Sequence, residues 1–393
     1  MSCQEVLSAA RAMQDRIVAW RRDFHKHPEL GFQETRTSGI VAEELERLGL
    51  KVRRHCPKTA VSADLVVPGA KDFFLLRADM DALPVQENSG EPFASVYAGK
   101  AHLCGHDSHV AMLLGAANVL TQMRHRLRTN VRFMFQPSEE ATPGGAEAMI
   151  AEGVLDGVTE AFAIHVFTAQ QAGRWGLVPG PVMAATDAIR FVIKGRGGHA
   201  ATPEMCVDPI VAAAQLIMNL QTVMSRRVAP LDCGVLSLCK IAGGAVFNVI
   251  PETVEILGTL RTHSEKTRER VKQMVGDIVH GLELSTGVTV ATSWDAGYPT
   301  TVNNPAVIER VRAAVADLFG PQSLEEIPKK FGGEDFSFLL QKVPGAMVFL
   351  GVANTAKGIG AAHHNPEFRI DEDVLWQGTA LLAEMATRKT DKG

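Results

Sequence analysis

The residues best suited to chemistry are spread along a chain of 393 residues: Cys104-Gly105-His106, Glu139-Glu140, His165 and His363-His364-Asn365-Pro366. Thiolate, imidazole and carboxylate are the donors of a borderline-soft divalent ion such as zinc. Taken singly, each has a plainer explanation. Cys104 fits a small buried hydrophobe, His165 a hydrogen-bonded core histidine, and the glutamate pair solvated charge, because most cysteines and histidines are not ligands. The combination is harder to dismiss. The two carboxylates follow an apolar strand pattern over 131–135, and successive side chains of an extended segment face opposite sides. One of the pair can then hold a cation while the other faces a reacting water, which is the pairing that metal-assisted hydrolysis needs. His363 and His364 are alternatives for the last ligand.

Rival readings are weaker. His199 follows a glycine-rich turn, Gly195 to Gly198, where an exposed loop histidine is the plain expectation. Gly195-x-Gly197-x-x-Ala200 formally matches a dinucleotide fingerprint, but Thr202-Pro203 interrupts the helix that should follow. No acidic residue ends a second strand at the required offset of about twenty residues. A cysteine nucleophile at Cys104 with His106 as base leaves Glu139, Glu140 and His165 without a role, and residues two apart rarely meet as nucleophile and base. The Pro-Cys-x-x-Cys half of the zinc nucleobase deaminase signature is absent, which sets that class aside.

These residues need elements to hold them. Val6, Ala9, Met13, Ile17 and Trp20 predict an amphipathic helix over 5–24, and a second helix covers 36–48 and stops at Gly49. An apolar strand over 73–78 ends in Asp79-Met80-Asp81. Cys104 and His106 lie in the following loop, before an apolar helix from about His109 to Met123 that Asp107 or Ser108 is placed to cap. A strand over 131–136 runs into Pro137-Ser138-Glu139-Glu140, and one over 161–166 carries His165. Strands alternating with helices predict an α/β layer with a mostly parallel central sheet flanked by helices. In such sheets the ligand crevice lies at the carboxyl ends of the strands, where Asp79, Asp81, Glu139, Glu140 and His165 fall.

The character changes near Thr186. Strands over 189–193, 233–241, 254–262 and 288–294, with helices over 209–224 and 265–284, give the order β-α-β-β-α-β. That is a split βαβ, ferredoxin-like α+β unit. The expected organisation is a first catalytic segment at 1–185, an inserted domain at 186–298 and a second catalytic segment at 299–393.

Composition bounds the partners. A formal charge of −4 and a pI near 6.4 give no electrostatic reason to expect nucleic acid or an anionic membrane. No apolar run reaches the length of a membrane span, and the N-terminus does not have the pattern of a signal peptide. Six cysteines in such a chain read as reduced thiols, so the expected location is cytoplasmic.

Several motifs in fixed order add a further inference. They are His25-Lys26-His27-Pro28-Glu29-Leu30-Gly31, Leu76-Arg77-Ala78-Asp79-Met80-Asp81-Ala82-Leu83-Pro84, Cys104-Gly105-His106-Asp107 and Phe135-Gln136-Pro137-Ser138-Glu139-Glu140. Gly198-His199-Ala200-Ala201, Asn248-Val249-Ile250-Pro251, Gly333-Glu334-Asp335-Phe336 and His364-Asn365-Pro366 complete the set. With these motifs the chain resembles, over nearly its full length, the aminoacylase/carboxypeptidase-type metallopeptidase family. The branch is that of hippurate hydrolases, N-acyl-amino-acid amidohydrolases and plant auxin-conjugate hydrolases.

The resemblance implies that Cys104, His106, Glu140, His165 and His364 bind two neighbouring divalent ions, Zn2+ or Mn2+ with Co2+ or Ni2+ as alternatives. His364 is preferred to His363 because it directly precedes the Asn-Pro turn. Glu139 would be the general base and Asp81 would orient a ligand, while Asp79 stands where other branches carry a ligating histidine. The inserted domain would be a lid and dimerisation domain. It would send His199 into the active site of the other subunit of a homodimer, with Asn248 as a substrate contact. Glu204 departs from the branch, which often has histidine after Pro203. The expected activity is two-metal hydrolysis of the amide bond of N-acyl amino acids or small peptides. A dipeptidase or carboxypeptidase, or a non-catalytic binding protein of the same fold, are the alternatives.

Overall fold

The computed structural model describes residues 2–56 and 58–389. They form two compact units. The first comprises the residues up to Gly180, Val302–Pro328 and those from Phe338 onward; the second comprises Pro181–Thr301 and Lys329–Ser337.

The sheet of the first unit has eight strands in the order Lys51–Arg54, Val61–Leu65, Asn130–Gln136, Phe73–Asp79, Val158–Gln171, Gly345–Ala353, Trp175–Gly176 and Leu324–Glu325. The four central strands run parallel. Antiparallel pairs flank them on both sides, so the sheet is mixed around the expected parallel centre. At the centre of the sheet, parallel pairing goes with strands covered on both faces. Asn130–Gln136 and Gly345–Ala353 are buried at every position, and their sequences are correspondingly apolar without alternation. Phe73–Asp79 lies between strands that follow it on either side, so chain order reverses around it. Such a switch point opens a crevice at the carboxyl ends. There Asp79 stands opposite Gln136, and the two chains continue into Asp81 and into Ser138 to Glu140.

Helix His106–Gln122 is apolar almost all round and buried along most of its length, with Gln14–Lys26 and Leu375–Arg388 packed on it. It starts three residues earlier than the sequence suggests, so His106 lies in its first turn rather than in the preceding loop. Neither Asp107 nor Ser108 caps it. Gly105 occupies the cap position with φ +92°, a conformation that glycine adopts without a Cβ penalty. A Cβ there would also sit 2.3 Å from Val166 Cγ2. The predicted N-terminal helix is two helices, Ser2–Ala12 and Gln14–Lys26, broken at Met13.

The second unit has one antiparallel sheet in the order Gly234–Gly243, Thr253–Thr262, Ala185–Lys194, Thr289–Ala296. Helices Pro209–Thr222 and Glu265–Thr286 complete the β-α-β-β-α-β order. Ile189, Phe191, Leu216, Leu220, Ile256 and Val275 centre its separate core. Both helices start from side-chain caps: Asp208 accepts from Ile210 and Val211 N–H, and Ser264 from Thr267 N–H. The sequence reading assigned everything beyond 298 to the first domain, but Lys329–Ser337 joins the second unit. Its backbone is what holds it there. Lys330 N–H donates to Val182 O, and Lys330 O accepts from His263 Nε2, each at 2.8 Å. Among the described residues no helix is long and apolar enough to cross a membrane.

Candidate functional site

Four overlapping sets of donor atoms lie in the first unit, the atoms of each set within 4.8 Å of one another: Cys104, His106 and His165; Cys104, Glu140 and His364; His106, Glu139 and Glu140; and Asp79, His106 and His109. Shared members make them one cluster. Cys104 Sγ is 3.6 Å from His165 Nε2, His364 Nε2 is 3.2 Å from Glu140 Oε1, and His106 Nε2 is 3.9 Å from the same oxygen. All six side chains singled out in the sequence around a metal are thus brought together. His106 and Glu139 are buried, whereas the His364 side chain is 52% exposed, so the cluster is closed beneath and open on the His364 side.

Asp81 orders two of these groups. The His106 Nδ1–H donates to Asp81 O at 2.9 Å, with Asp81 Oδ1 at 3.2 Å, and Asp81 Oδ2 accepts from Glu140 N–H at 3.0 Å. A proton held on Nδ1 leaves Nε2 as the lone-pair atom facing the cluster. His165 is turned the same way, since its Nδ1–H donates to Val166 O at 2.6 Å. Burial pushes its pKa well down and keeps the ring neutral. Burial and the Glu140 carboxylate push the Cys104 thiol up. A thiolate there needs a cation beside it. His106 Nε2 and Glu140 Oε1 are buried without a hydrogen bond. Such atoms cost desolvation energy unless something else satisfies them. Imidazole and carboxylate atoms that face one another around a thiol without a hydrogen bond fit a divalent cation of borderline softness.

Asp79 has a different surrounding. It is fully buried, with Oδ2 2.7 Å from Arg77 NH1 and Oδ1 2.6 Å from His109 Nδ1. Burial alone would raise its pKa, but Arg77, His106 and His109 outweigh it and hold the group well below the usual carboxylate range. His109 Nε2 in turn accepts from Val166 N–H at 2.9 Å. The carbonyl of Val166 accepts from His165 Nδ1 and, at 3.0 Å, from His363 Nε2. His109 and Arg77 were missed as site residues in the sequence. The signal for His109 was its position one helical turn after His106, on the same face. No local signal marks Arg77, which reads as one polar position in an apolar strand.

Beneath the helix start, Asp107 accepts from His25 Nδ1 at 2.7 Å and lies 2.8 Å from Arg21 Nε; His25 Nε2 is 3.0 Å from Glu87. Burial and Arg21 work against a charge on His25, yet its two carboxylate neighbours raise its pKa overall.

His199 and Asn248 lie next to each other in the second unit. Gly198–His199 pairs with Val249–Ile250, and Ala200 N–H donates to Asn248 O at 3.1 Å. His199 is exposed, and its Nδ1 accepts from Ala201 N–H at 3.0 Å, which leaves Nε2 to carry the proton.

The family model of peptidase family M20/M25/M40 matches residues 75–388. The chain is 39% identical over 385 residues to an IAA-amino acid hydrolase, ILR1-like 2, from Arabidopsis thaliana, covering 96% of this chain and 87% of that one. It is 37% identical over 379 residues to an N-acetyl-L-cysteine deacetylase from Bacillus subtilis, covering 96% and 89%. A crystal structure of a dinuclear metal binding peptidase of the same family from Bacillus subtilis superimposes with a TM-score of 0.85 at 33% identity, covering 96% of this chain and 98% of that one. The chain therefore belongs to the M20/M25/M40 peptidase family, in its amidohydrolase branch, and is a hydrolase of amide bonds.

Proposed function

We propose that the chain releases amino acids from small N-acyl conjugates, with Glu139 as general base beside two divalent cations held by Cys104, His106, Glu140, His165 and His364. The observation that carries this is the pair of buried, unbonded atoms, His106 Nε2 and Glu140 Oε1, in a cluster that also contains Glu139. Cys104 belongs to two donor triads, one with His106 and His165 and one with Glu140 and His364, which supports its place among the residues that would hold the cations. When bound, the cations would polarise the amide carbonyl and lower the pKa of the attacking water. Glu139 accepts the proton of that water as it attacks and delivers it to the departing amine. The names of the Arabidopsis and Bacillus relatives, an amino-acid conjugate and an N-acetyl amino acid, support this substrate class.

In the same reading His199 donates its Nε2–H to the developing oxyanion of a substrate held by the other subunit of a homodimer, with Asn248 beside it. The second unit offers a surface for such a dimer. Its edge strand Gly234–Gly243 is largely exposed, including Ile241, and Met218 on helix Pro209–Thr222 is 69% exposed. Unprotected apolar edges are where a second copy pairs. None of the six cysteines is joined in a disulfide, as expected of a reducing, cytoplasmic setting.

The test is steady-state hydrolysis of N-acetyl, N-benzoyl and dipeptide series by protein reconstituted with Zn2+, Mn2+ or Co2+, against a chelated control. Acyl amino acids are expected to be the best substrates, and preference for dipeptides would favour a dipeptidase. Glu139→Gln should retain the metal and lose most turnover; an active variant would remove Glu139 from the base role.

A further inference from the structure

The turn that carries Glu139 and Glu140 is held by two carboxylates outside the metal cluster. Asp81 takes the Glu140 N–H, as described above. The other is Glu34, which is fully buried at the start of helix Thr35–Arg47. Its Oε1 accepts from Ser138 N–H at 2.9 Å and from Phe32 N–H at 3.0 Å. Both donors have left-handed backbones, Phe32 with φ +62° and Ser138 with φ +48°, and with His364 they are the non-glycine residues of positive φ among those described. Residues with a Cβ adopt that region at a cost and persist there only where their surroundings impose it. The two segments also touch. A Cβ on Gly31 would lie 2.6 Å from Ser138 Oγ, so only glycine admits Ser138 at this distance.

We propose that Glu34 is the positioning residue of the acidic turn. By accepting from Phe32 and Ser138 through one oxygen, it holds Ser138 left-handed and so sets where Glu139 and Glu140 stand. Ser138 and Glu140 are then fixed by their amides from two sides, and the intervening Glu139 has little freedom. Burial and the field of Asp81 push the Glu34 carboxyl up to about 7, although its own backbone N–H, that of Ser138 and the Thr59 hydroxyl pull the other way. The cost of keeping an acid there is consistent with a role that an ordinary helix cap does not require.

The inference rests on the proposed roles of Glu139 and Glu140, and its test separates the two. Glu34→Ala, Glu34→Gln and Glu34→Asp are compared with wild type by divalent-ion titration calorimetry with Mn2+ and by kcat and KM on an N-acetyl amino acid. Glu34→Ala should lower metal affinity and kcat by about 10–100-fold, as outer partners of metal sites do, with KM little changed. Glu34→Gln keeps an acceptor oxygen and should recover most of that loss. Glu34→Asp keeps the charge but draws the oxygen back by one methylene, and it should be impaired like alanine. It also keeps the question open to test should the alanine variant fail to fold. Wild-type values in the aspartate variant would overturn the proposal, as would equal impairment in the glutamine and alanine variants. A wild-type protein without amide hydrolysis would instead overturn the functional reading, and the Mn2+ titration would still judge Glu34.

Discussion

His363 and His364 are neighbours in the chain and face different surroundings. The His363 ring stacks on Phe167 with centroids 4.9 Å apart and reaches Val166 O with Nε2, while His364 places Nε2 3.2 Å from Glu140 Oε1. The turn between them is made by His364 itself, with φ +65° and its N–H on Leu103 O at 2.9 Å. The residue types left these two as alternatives and the family resemblance favoured His364; their surroundings differ in a way that supports that proposal.

His364→Ala should therefore lower metal content toward one ion per chain and cut activity by more than about 100-fold, beyond the range for outer partners. His363→Ala should keep both ions and lower thermal stability instead. Elemental analysis and thermal melts of the two variants separate the outcomes, and exchange of the two phenotypes would reverse the assignment.

Asp79→Asn leaves the Arg77 guanidinium buried beside a neutral amide and removes the carboxylate that orients His109. Removing one partner of a buried pair costs about 3–5 kcal/mol, which urea denaturation should register as a lower midpoint. Metal affinity should also fall by about 10–100-fold. A variant with unchanged midpoint would show that Arg77 finds another acceptor.

Gly105→Ala puts a methyl against Val166 and forces a left-handed backbone on alanine. The expected destabilisation is about 1–3 kcal/mol from overpacking, with added strain at φ +92°. Because Gly105 directly precedes His106, activity should fall more steeply than stability. Denaturation and kinetics on the same preparation test this.

The His25 site should give the protein a pH-dependent stability. Its pKa is raised above the ordinary histidine value in the folded state. Its contribution is thus fully present below about 6.5, the unfolded value, and is lost as pH rises through the folded value. His25→Gln should therefore lose more melting temperature relative to wild type at pH 6 than at pH 9. Equal losses at the two pH values would mean that the ring acts by packing alone.

Ile241→Lys and Met218→Lys place charges on the exposed edge strand and on helix Pro209–Thr222 of the second unit. If two copies pair there, the double variant should sediment as a monomer. It should lose turnover without losing metal, because His199 would no longer reach a second subunit.

Much of the fold was legible because its signals are local and strong. The apolar runs of Phe73–Asp79 and Asn130–Gln136, and the alternation of strands and helices in the second unit, specify their elements directly. The antiparallel margins of the main sheet were not legible, since Lys51–Arg54 and Val61–Leu65 are short and acquire their places only through pairing. The cluster members were nameable because their types are rare at strand ends. Their supports were not. Glu34 reads as one more charge before a helix, and acts through a partner 104 residues away; Arg77 reads as an interruption in a strand, although its partner Asp79 follows two residues later. The grouping of Lys329–Ser337 with the second unit was not legible either, because Lys330 takes part in those bonds through its main-chain N–H and carbonyl, whatever its side chain.

The placement of Gly345–Ala353 between Val158–Gln171 and Trp175–Gly176 has a consequence for the order of assembly. As the chain leaves the ribosome, the edge of Val158–Gln171 waits without its neighbour for the whole time that the second unit is being made. The second unit has all four of its main strands once residue 296 has emerged, and can close its sheet first. Only when Ala353 follows can the central sheet be completed, and His364 arrives later still. Newly made chains must therefore pass through a stage with an open, apolar sheet edge and a cluster that still lacks His364.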